Sequence, residues 1–172
     1  MSNTRFGHVV IIGVGLIGGS LARALKEQGA VERITGVARS RQTLNKALQL
    51  GVVDAVEANA ATAARDADMI VLATPVATIR TLLETMLDAI PAHCIVTDAG
   101  SVKGSVVDAA RAVLGDRVEQ FIPGHPIAGT EESGVEASFP SLYQNRRVIL
   151  TPLPENRSED VQQVRDLWEI CG

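Results

Sequence analysis

Two polar segments of the sequence carry side chains that could move a proton. Ser101 lies in the stretch DAGSVK and His125 in the stretch GHPIAGT, each after a predicted strand. A histidine can accept a proton near neutral pH, and a serine hydroxyl can orient a substrate or the histidine. We therefore predict that His125 and Ser101 are catalytic. The alternative for His125 is a structural role in its loop.

A third segment, GVGLIGG at residues 13–19, could bind phosphate. In the GxGxxG pattern the first glycine permits a tight turn, the second lets the backbone approach a pyrophosphate, and the third lets the helix pack on the strand. The helix that follows presents free N–H groups to the anion. The pattern predicts a dinucleotide site, and the alternative is a turn that binds nothing. The predicted contacts are Gly13, Gly15, Leu16, Ile17 and Gly18.

The end of the second predicted strand bears on which dinucleotide is bound. An acidic residue there would bind the ribose 2′-hydroxyl of NAD, but residues 36–41 contain no carboxylate. Ala38 leaves room, Arg39 and Arg41 could neutralise a 2′-phosphate, and Ser40 could donate to it. We therefore predict NADP, with NAD as the alternative. In that alternative the arginines only form the solvated start of a helix.

Hydrophobic periodicity predicts the elements that position these segments. Apolar runs rich in β-branched residues alternate with helical patterns, which is typical of a parallel sheet. We predict an α/β, Rossmann-type, doubly wound and mostly parallel sheet with helices on both faces, forming one domain over residues 1–172. Strands are expected at 8–12, 33–37, 69–73, 93–98, 118–122 and 147–151, and helices at 16–28, 40–50, 75–89, 102–114 and from Ser158 onward.

Two further features concern the edge of this sheet. Thr74 and Pro75 are predicted as the N-cap and first residue of a helix, and both are counted among the cofactor contacts. Ligands of open α/β sheets bind beyond the carboxyl ends of the strands. Residues 123–146 form a long irregular stretch there, which favours a functional role.

Composition excludes several functional classes. The chain has 172 residues, a net charge of −4 and 3% aromatic residues, which disfavours nucleic-acid binding. Cys94 and Cys171 fit neither a metal site nor a disulfide framework, so we expect no metal and a reducing cytoplasm. Cys94 is interpreted as a small buried hydrophobe. We find neither a membrane span of about 20 apolar residues nor a signal peptide.

Four motifs together resemble the prephenate/arogenate (cyclohexadienyl) dehydrogenases of tyrosine biosynthesis. They are VVIIGVGLIGGSLA, ATPV, TDAGSVK and GHPIAGTEESG, and the resemblance covers nearly the whole chain. It implies oxidative decarboxylation of prephenate or arogenate with hydride transfer to NADP or NAD. The products would be 4-hydroxyphenylpyruvate or tyrosine. The alternatives are another NADP-dependent β-hydroxyacid or imine reductase, and a non-catalytic NADP-binding module.

The resemblance also implies roles for single residues. His125 would contact the substrate 4-hydroxyl and take up its proton, and Ser101 would lie between substrate, cofactor and His125. Lys103 matches a lysine implicated in substrate binding, although a solvated lysine in a first helical turn is the alternative. Thr130 and Glu131 match residues at the mouth of the site.

The chain departs from the family pattern in two ways. Members carry a C-terminal helical domain that dimerises and supplies an arginine for the substrate, whereas this chain stops at Gly172. We therefore expect a truncated chain that binds cofactor yet lacks turnover, with homodimerisation through the missing domain. NAD-preferring members usually have Asp at the position of Ala38, which favours NADP here.

Overall fold

The apolar run around residues 8–12 forms the centre of a parallel sheet. The computed structural model of the protein describes residues 5–172, so residues 1–4 of the predicted domain lie outside it. Within the described residues six strands form this sheet in the order β3-β2-β1-β4-β5-β6, and every ladder in it is parallel. The strands are β1 Phe6–Ile12, β2 Val31–Val37, β3 Ala55–Glu57, β4 Met69–Leu72, β5 Ile95–Asp98 and β6 Phe121–Ile122.

Helices cover both faces of this sheet. Val9 and Ile11 of β1 belong to the hydrophobic cluster that the first and last helices bury, whereas Val10 and Ile12 belong to the cluster of the other face. A strand covered on both sides needs apolar residues at successive positions, which explains the unbroken run. The predicted doubly wound fold is confirmed. The helices are α1 Leu16–Glu27, α2 Arg41–Gln49, α3 Ala60–Ala64, α4 Val76–Met86, α5 Lys103–Leu114 and α6 Ser158–Cys171.

A small antiparallel ribbon stands apart from the main sheet. It pairs β7 (Gly124–Pro126) with β8 (Val148–Leu150), so that His125 lies opposite Ile149. The expected strand at 147–151 therefore exists, but it belongs to this ribbon. The segment between the two strands packs on α1, where the Tyr143 hydroxyl donates to the Ile17 carbonyl at 2.6 Å.

Several predicted elements differ from those observed. Residues 115–120 form a 3-10 helix, so the predicted strand 118–122 shrinks to β6. The cause is Gln120, whose buried amide donates to the carbonyls of Pro91 and Cys94, both at 2.8 Å, and so turns the chain inward. The short elements β3, β7 and α3 were not predicted, because they are too short to show periodicity, and β7 lies in the stretch expected to be irregular.

The predicted cap of α4 is wrong by one residue. Pro75 is the N-cap, with φ −53° and ψ 139°, and Val76 is the first helical residue. Thr74 does not cap the helix, because its hydroxyl oxygen accepts a hydrogen bond from the Thr78 hydroxyl at 2.9 Å. Within residues 5–172 no helix is both long and apolar enough to cross a bilayer.

Candidate active site

The carboxyl edge of the parallel sheet brings the predicted segments into one row. Since neighbouring strands run the same way, the residues that follow them emerge side by side. Along the edge, residues 38–41 follow β2, the glycine turn follows β1, residues 74–75 follow β4, and the loop of Ser101 follows β5. The ribbon with His125 comes directly after β6. The row has the phosphate-binding pattern at its centre and the two catalytic candidates at one end.

The three pattern glycines are required for different reasons. Gly13 has φ 97°, and a Cβ there would lie 2.5 Å from the Ala73 carbonyl oxygen. A Cβ on Gly18 would clash with the Gly13 carbonyl oxygen and would lie 2.8 Å from Ile11 Cγ2, so this glycine lets α1 begin close to the turn and to β1. Gly15 is the N-cap of α1, and no described atom would lie within 4 Å of a Cβ placed on it. The turn thus fits an anion, which Gly15 leaves free to approach.

The first turn of α1 has the electrostatics that an anion needs. Leu16 and Ile17 open the helix, and no acidic residue lies in its first turn. The free N–H groups and the positive end of the helix dipole therefore face the Gly15 side without a competing carboxylate.

A hollow of about 550 Å³ lies beside this turn. Its lining includes Ala38 and Arg39 after β2 and Thr74 and Pro75 before α4. Its walls are mostly apolar, and the guanidinium of Arg39 adds a positive charge at the rim. The hollow therefore has the composition expected for the adenosine half of a dinucleotide.

The two neighbours of Arg39 have different surroundings. Ser40 is the N-cap of α2, where its Oγ accepts the Thr43 N–H at 3.3 Å. That bond leaves the hydroxyl proton free to be donated. Arg41 begins α2 and is exposed but does not line the hollow. Within the described chain neither Arg39 nor Arg41 forms an ion pair, so both charges are available to an anionic ligand.

The loops of Ser101 and His125 are joined through Asp98. Gly124, the residue before His125, donates its N–H to Asp98 Oδ1 at 3.1 Å. Lys103 forms an ion pair with Asp98 and donates to the Gly124 carbonyl at 2.6 Å. Burial lowers the pKa of Lys103, although Asp98 opposes that shift. The amino group of Lys103 therefore contacts Asp98 and Gly124, and 17% of the lysine side chain is exposed.

His125 opens onto a second depression. The half-buried imidazole lines a shallow hollow of about 390 Å³ together with residues 126–129 and Arg146. Ser101 is exposed in the loop between β5 and α5. Thr130 and Glu131 are exposed in the loop beyond β7, where the Thr130 hydroxyl accepts the N–H of Glu132 at 3.2 Å. The hollows of Gly13 and of His125 are separate in outline, because Gly13 follows β1 at the centre of the sheet and His125 comes after β6, its last strand.

Two residues at this edge were missed as site residues. Asp98 was expected only as the end of a strand, and Arg146 only as part of a loop. A charged residue at the end of a buried strand is a usable signal for Asp98. Arg146 had no signal in the sequence, because only the ribbon brings it beside His125. Among residues 5–172, no three His, Cys, Asp or Glu side chains are grouped to hold a metal ion.

Comparison with known proteins gives one consistent family. Residues 21–172 match the family described as prephenate dehydrogenase, nucleotide-binding domain. The cyclohexadienyl dehydrogenase of Zymomonas mobilis is 35% identical over 169 residues, which are 98% of this chain and 57% of that protein. The prephenate dehydrogenase of Bacillus subtilis is 38% identical over 92% of this chain and 43% of its own length. The chain therefore spans about half the length of these relatives.

Solved structures show the same relationship. Prephenate dehydrogenase from Aquifex aeolicus, in complex with hydroxyphenyl propionate and NAD+, superposes with a TM-score of 0.89 at 37% identity. Arogenate dehydrogenase from Synechocystis superposes with a TM-score of 0.87 at 32% identity. Each match covers 96% of this chain and 57% of the other.

Proposed function

The chain belongs to the prephenate dehydrogenase family, as a nucleotide-binding domain, and from this premise we propose that it serves the oxidative decarboxylation of prephenate or arogenate. The products are 4-hydroxyphenylpyruvate from prephenate and tyrosine from arogenate. The observation that supports the proposal is the row at the sheet edge, where an open glycine turn and the segments of Ser101 and His125 emerge side by side. In this proposal residues 1–172 act as one dinucleotide-binding domain.

The reaction requires few protein groups. When bound, the nicotinamide dinucleotide supplies the acceptor for the hydride that leaves C4 of the substrate ring. The bond to the ring carboxylate supplies an electron pair, carbon dioxide departs and the ring becomes aromatic. His125 takes the proton of the 4-hydroxyl as general base while the hydride leaves, and Ser101 orients that hydroxyl. Loss of carbon dioxide then gives a phenolate, which takes a proton back to become the product hydroxyl. The protein therefore contributes orientation and one proton acceptor.

Different residues at the sheet edge are assigned to different parts of the cofactor and the substrate. We assign the pyrophosphate to Gly13, Gly15 and Gly18, with Leu16 and Ile17 presenting the helix N-terminus. Thr74 and Pro75 line the hollow beside the turn. Thr130 and Glu131 are assigned to the mouth of the substrate site. Lys103 was expected to bind substrate, but its contacts with Asp98 and Gly124 favour a role in holding the backbone before His125.

We propose NADP as the preferred dinucleotide, with NAD as the alternative. Ala38 and Arg39 line the hollow, and Ser40 and Arg41 follow at the start of α2. An arginine pairs well with a phosphate, whereas a carboxylate at position 38 would repel it. We expect Ala38→Asp with Arg39→Ile to shift preference toward NAD. Fluorescence titration of both cofactors into both proteins tests this, and an unchanged preference for NADP would contradict the assignment.

The catalytic assignment is tested by Asn at position 125. His125→Asn removes the proton acceptor, so kcat with prephenate or arogenate should fall by roughly 10²–10⁴-fold, the usual contribution of a general base. Turnover is measured on the longest natural form of the protein, and NADP affinity serves as the control. If the variant binds NADP and keeps its rate, the protein does not use His125. If the wild type binds NADP but oxidises neither compound, it is a binding module.

Two expectations about the whole protein also belong to this proposal. The family resemblance implies a homodimer formed through a helical domain, and sedimentation of the longest natural form tests it. The cysteine content predicts a reducing cytoplasm, which cell fractionation tests.

A further inference from the structure

A buried ion pair lies between the two segments that carry Ser101 and His125. Asp98 ends β5, and its side chain is fully shielded from solvent. Lys103 begins α5, and 17% of its side chain is exposed. Taking two charges out of water is costly, and such pairs add little net stability compared with apolar side chains of the same volume. The pair therefore calls for an explanation other than stability.

The pair holds both polar backbone groups of Gly124. Asp98 Oδ1 accepts its N–H at 3.1 Å, and Lys103 Nζ donates to its carbonyl at 2.6 Å. A Cβ at this position would lie 3.1 Å from the Asp98 carbonyl oxygen, so the glycine permits the close approach. The backbone directly before His125 is thus fixed by two side chains from β5 and α5.

The same carboxylate holds the turn before Ser101. Asp98 Oδ2 accepts the N–H of Gly100 at 2.9 Å. One buried carboxylate therefore makes hydrogen bonds to the residue before each catalytic candidate. Lys103 balances its charge and completes the contact with Gly124, which leaves the amino group directed at protein atoms.

We propose that Asp98 and Lys103 are positioning residues that fix the relative placement of Ser101 and His125. The inference rests on the proposed function, because placement matters through the reaction of these two residues. Lys103 acts through the Gly124 carbonyl, which differs from the substrate contact that the family resemblance implies. Since small misplacements of catalytic groups cost large factors in rate, the pair affects turnover more than binding.

Kinetics of three variants test the proposal in the longest natural form of the protein. Asp98→Asn, Lys103→Met and the double variant should each lower kcat by roughly 10–10²-fold, as expected for misplaced groups, while KM for NADP stays within about twofold. The double variant should be no slower than the slower single variant, because both residues act on the backbone of Gly124. Lys26→Met is the matched control, since Lys26 pairs with Asp54 at 2.6 Å, away from this edge.

Two kinetic outcomes would overturn the proposal. If Lys103→Met raises KM for the substrate without lowering kcat, Lys103 is a substrate ligand. If the losses of the two single variants multiply in the double variant, the two residues act separately.

A measurement on the free protein separates this proposal from the proposed function. We expect amide hydrogen exchange of Gly124 to accelerate at least tenfold in Asp98→Asn, while amides of the distant helix α2 keep their rates. We also expect the NMR signals of the His125 ring to shift in all three variants. Unchanged Gly124 exchange and unchanged ring signals would refute positioning even if the wild type is active.

The converse result is equally informative. If the wild type fails to oxidise prephenate or arogenate but the Gly124 and His125 signals respond, the function is wrong and the positioning role stands. If Asp98→Asn does not fold, the double variant, which leaves no buried charge unpaired, supplies the same NMR readout.

Discussion

Alanine at three glycines separates the structural from the ligand-binding demands of the turn. A Cβ on Gly18 would clash with the Gly13 carbonyl oxygen and would lie 2.8 Å from Ile11 Cγ2 and 3.2 Å from the Ala73 Cβ, so the turn and the start of α1 must shift. A Cβ on Gly15 would enter open space. Gly104 in α5 has equally open surroundings and lies outside the predicted phosphate site, so Gly104→Ala is the matched control.

The expected magnitudes follow from these distances. Overpacking of this kind costs about 1–3 kcal/mol. At roughly 2–4 °C per kcal/mol for a chain of this size, Gly18→Ala should lower Tm by about 2–12 °C. Gly15→Ala should change stability by less than about 1 kcal/mol, the scale of an N-cap effect. Gly104→Ala should leave stability unchanged or raise it by about 0.5–1 kcal/mol, because alanine is the better helix former.

Cofactor binding should follow a different order. Gly15→Ala places a methyl group where the pyrophosphate must approach, so Kd for NADP should rise at least about tenfold, equivalent to about 1.4 kcal/mol. Gly104→Ala should bind as the wild type does. Calorimetry for Tm and fluorescence titration for Kd measure both effects. The reasoning is refuted if Gly15→Ala has the wild-type Kd for NADP, or if Gly18→Ala has the wild-type Tm.

Three further predictions concern the rest of the fold. Burial raises the pKa of the Cys94 and Cys171 thiols to about 12, so iodoacetamide at pH 8 should alkylate them roughly 10³-fold more slowly than in denaturant; comparable rates would contradict their burial. Tyr143→Phe leaves the Ile17 carbonyl without its 2.6 Å donor and should cost about 1–3 kcal/mol; an unchanged Tm would show that the bond is dispensable. Partial burial would raise the pKa of Asp54, but hydrogen bonds from Lys26 and the Ile34 N–H outweigh it and hold the pKa below its usual value. The ionised Asp54 carboxylate therefore stabilises the fold above about pH 4, and this stabilisation is lost as pH falls through the lowered pKa. Asp54→Asn should thus be less stable than the wild type at pH 7, and the two stabilities should converge in acid. Urea unfolding at several pH values measures the difference in stability between the two proteins. A difference that stays constant with pH would contradict this prediction.

The sequence predicted long elements well and short ones poorly. The strand at 8–12 and helix α1 have unbroken apolar runs or clear helical periodicity, and both are observed. The strands β3 and β7 have three residues each, too few to show a pattern. Val118 has strand-forming neighbours, yet it lies in a 3-10 helix. The side chain of Gln120, which ends this helix, donates a hydrogen bond to the carbonyl of Cys94, which is distant in the chain. Local propensity gave way there to tertiary contacts.

The candidate site divides in the same way. The glycine turn could be interpreted from spacing, because the positive φ of Gly13 and the approach of Gly18 to the Gly13 carbonyl are local, although both glycines also lie against Ala73. The amino group of Lys103 could not be placed from the sequence, since its partners come from the end of β5 and from the ribbon. Arg146 likewise lies beside His125 only because β7 and β8 pair.

The linear order of apolar runs and glycines was enough to determine a doubly wound sheet with a glycine turn at its centre, because both depend on periodicity and backbone geometry over short distances. Tertiary structure alone decided which polar groups meet at the sheet edge, and that Asp98 and Lys103 use their charges on the Gly124 backbone. Such contacts join residues far apart in the chain, and their strength depends on burial, which no local pattern encodes.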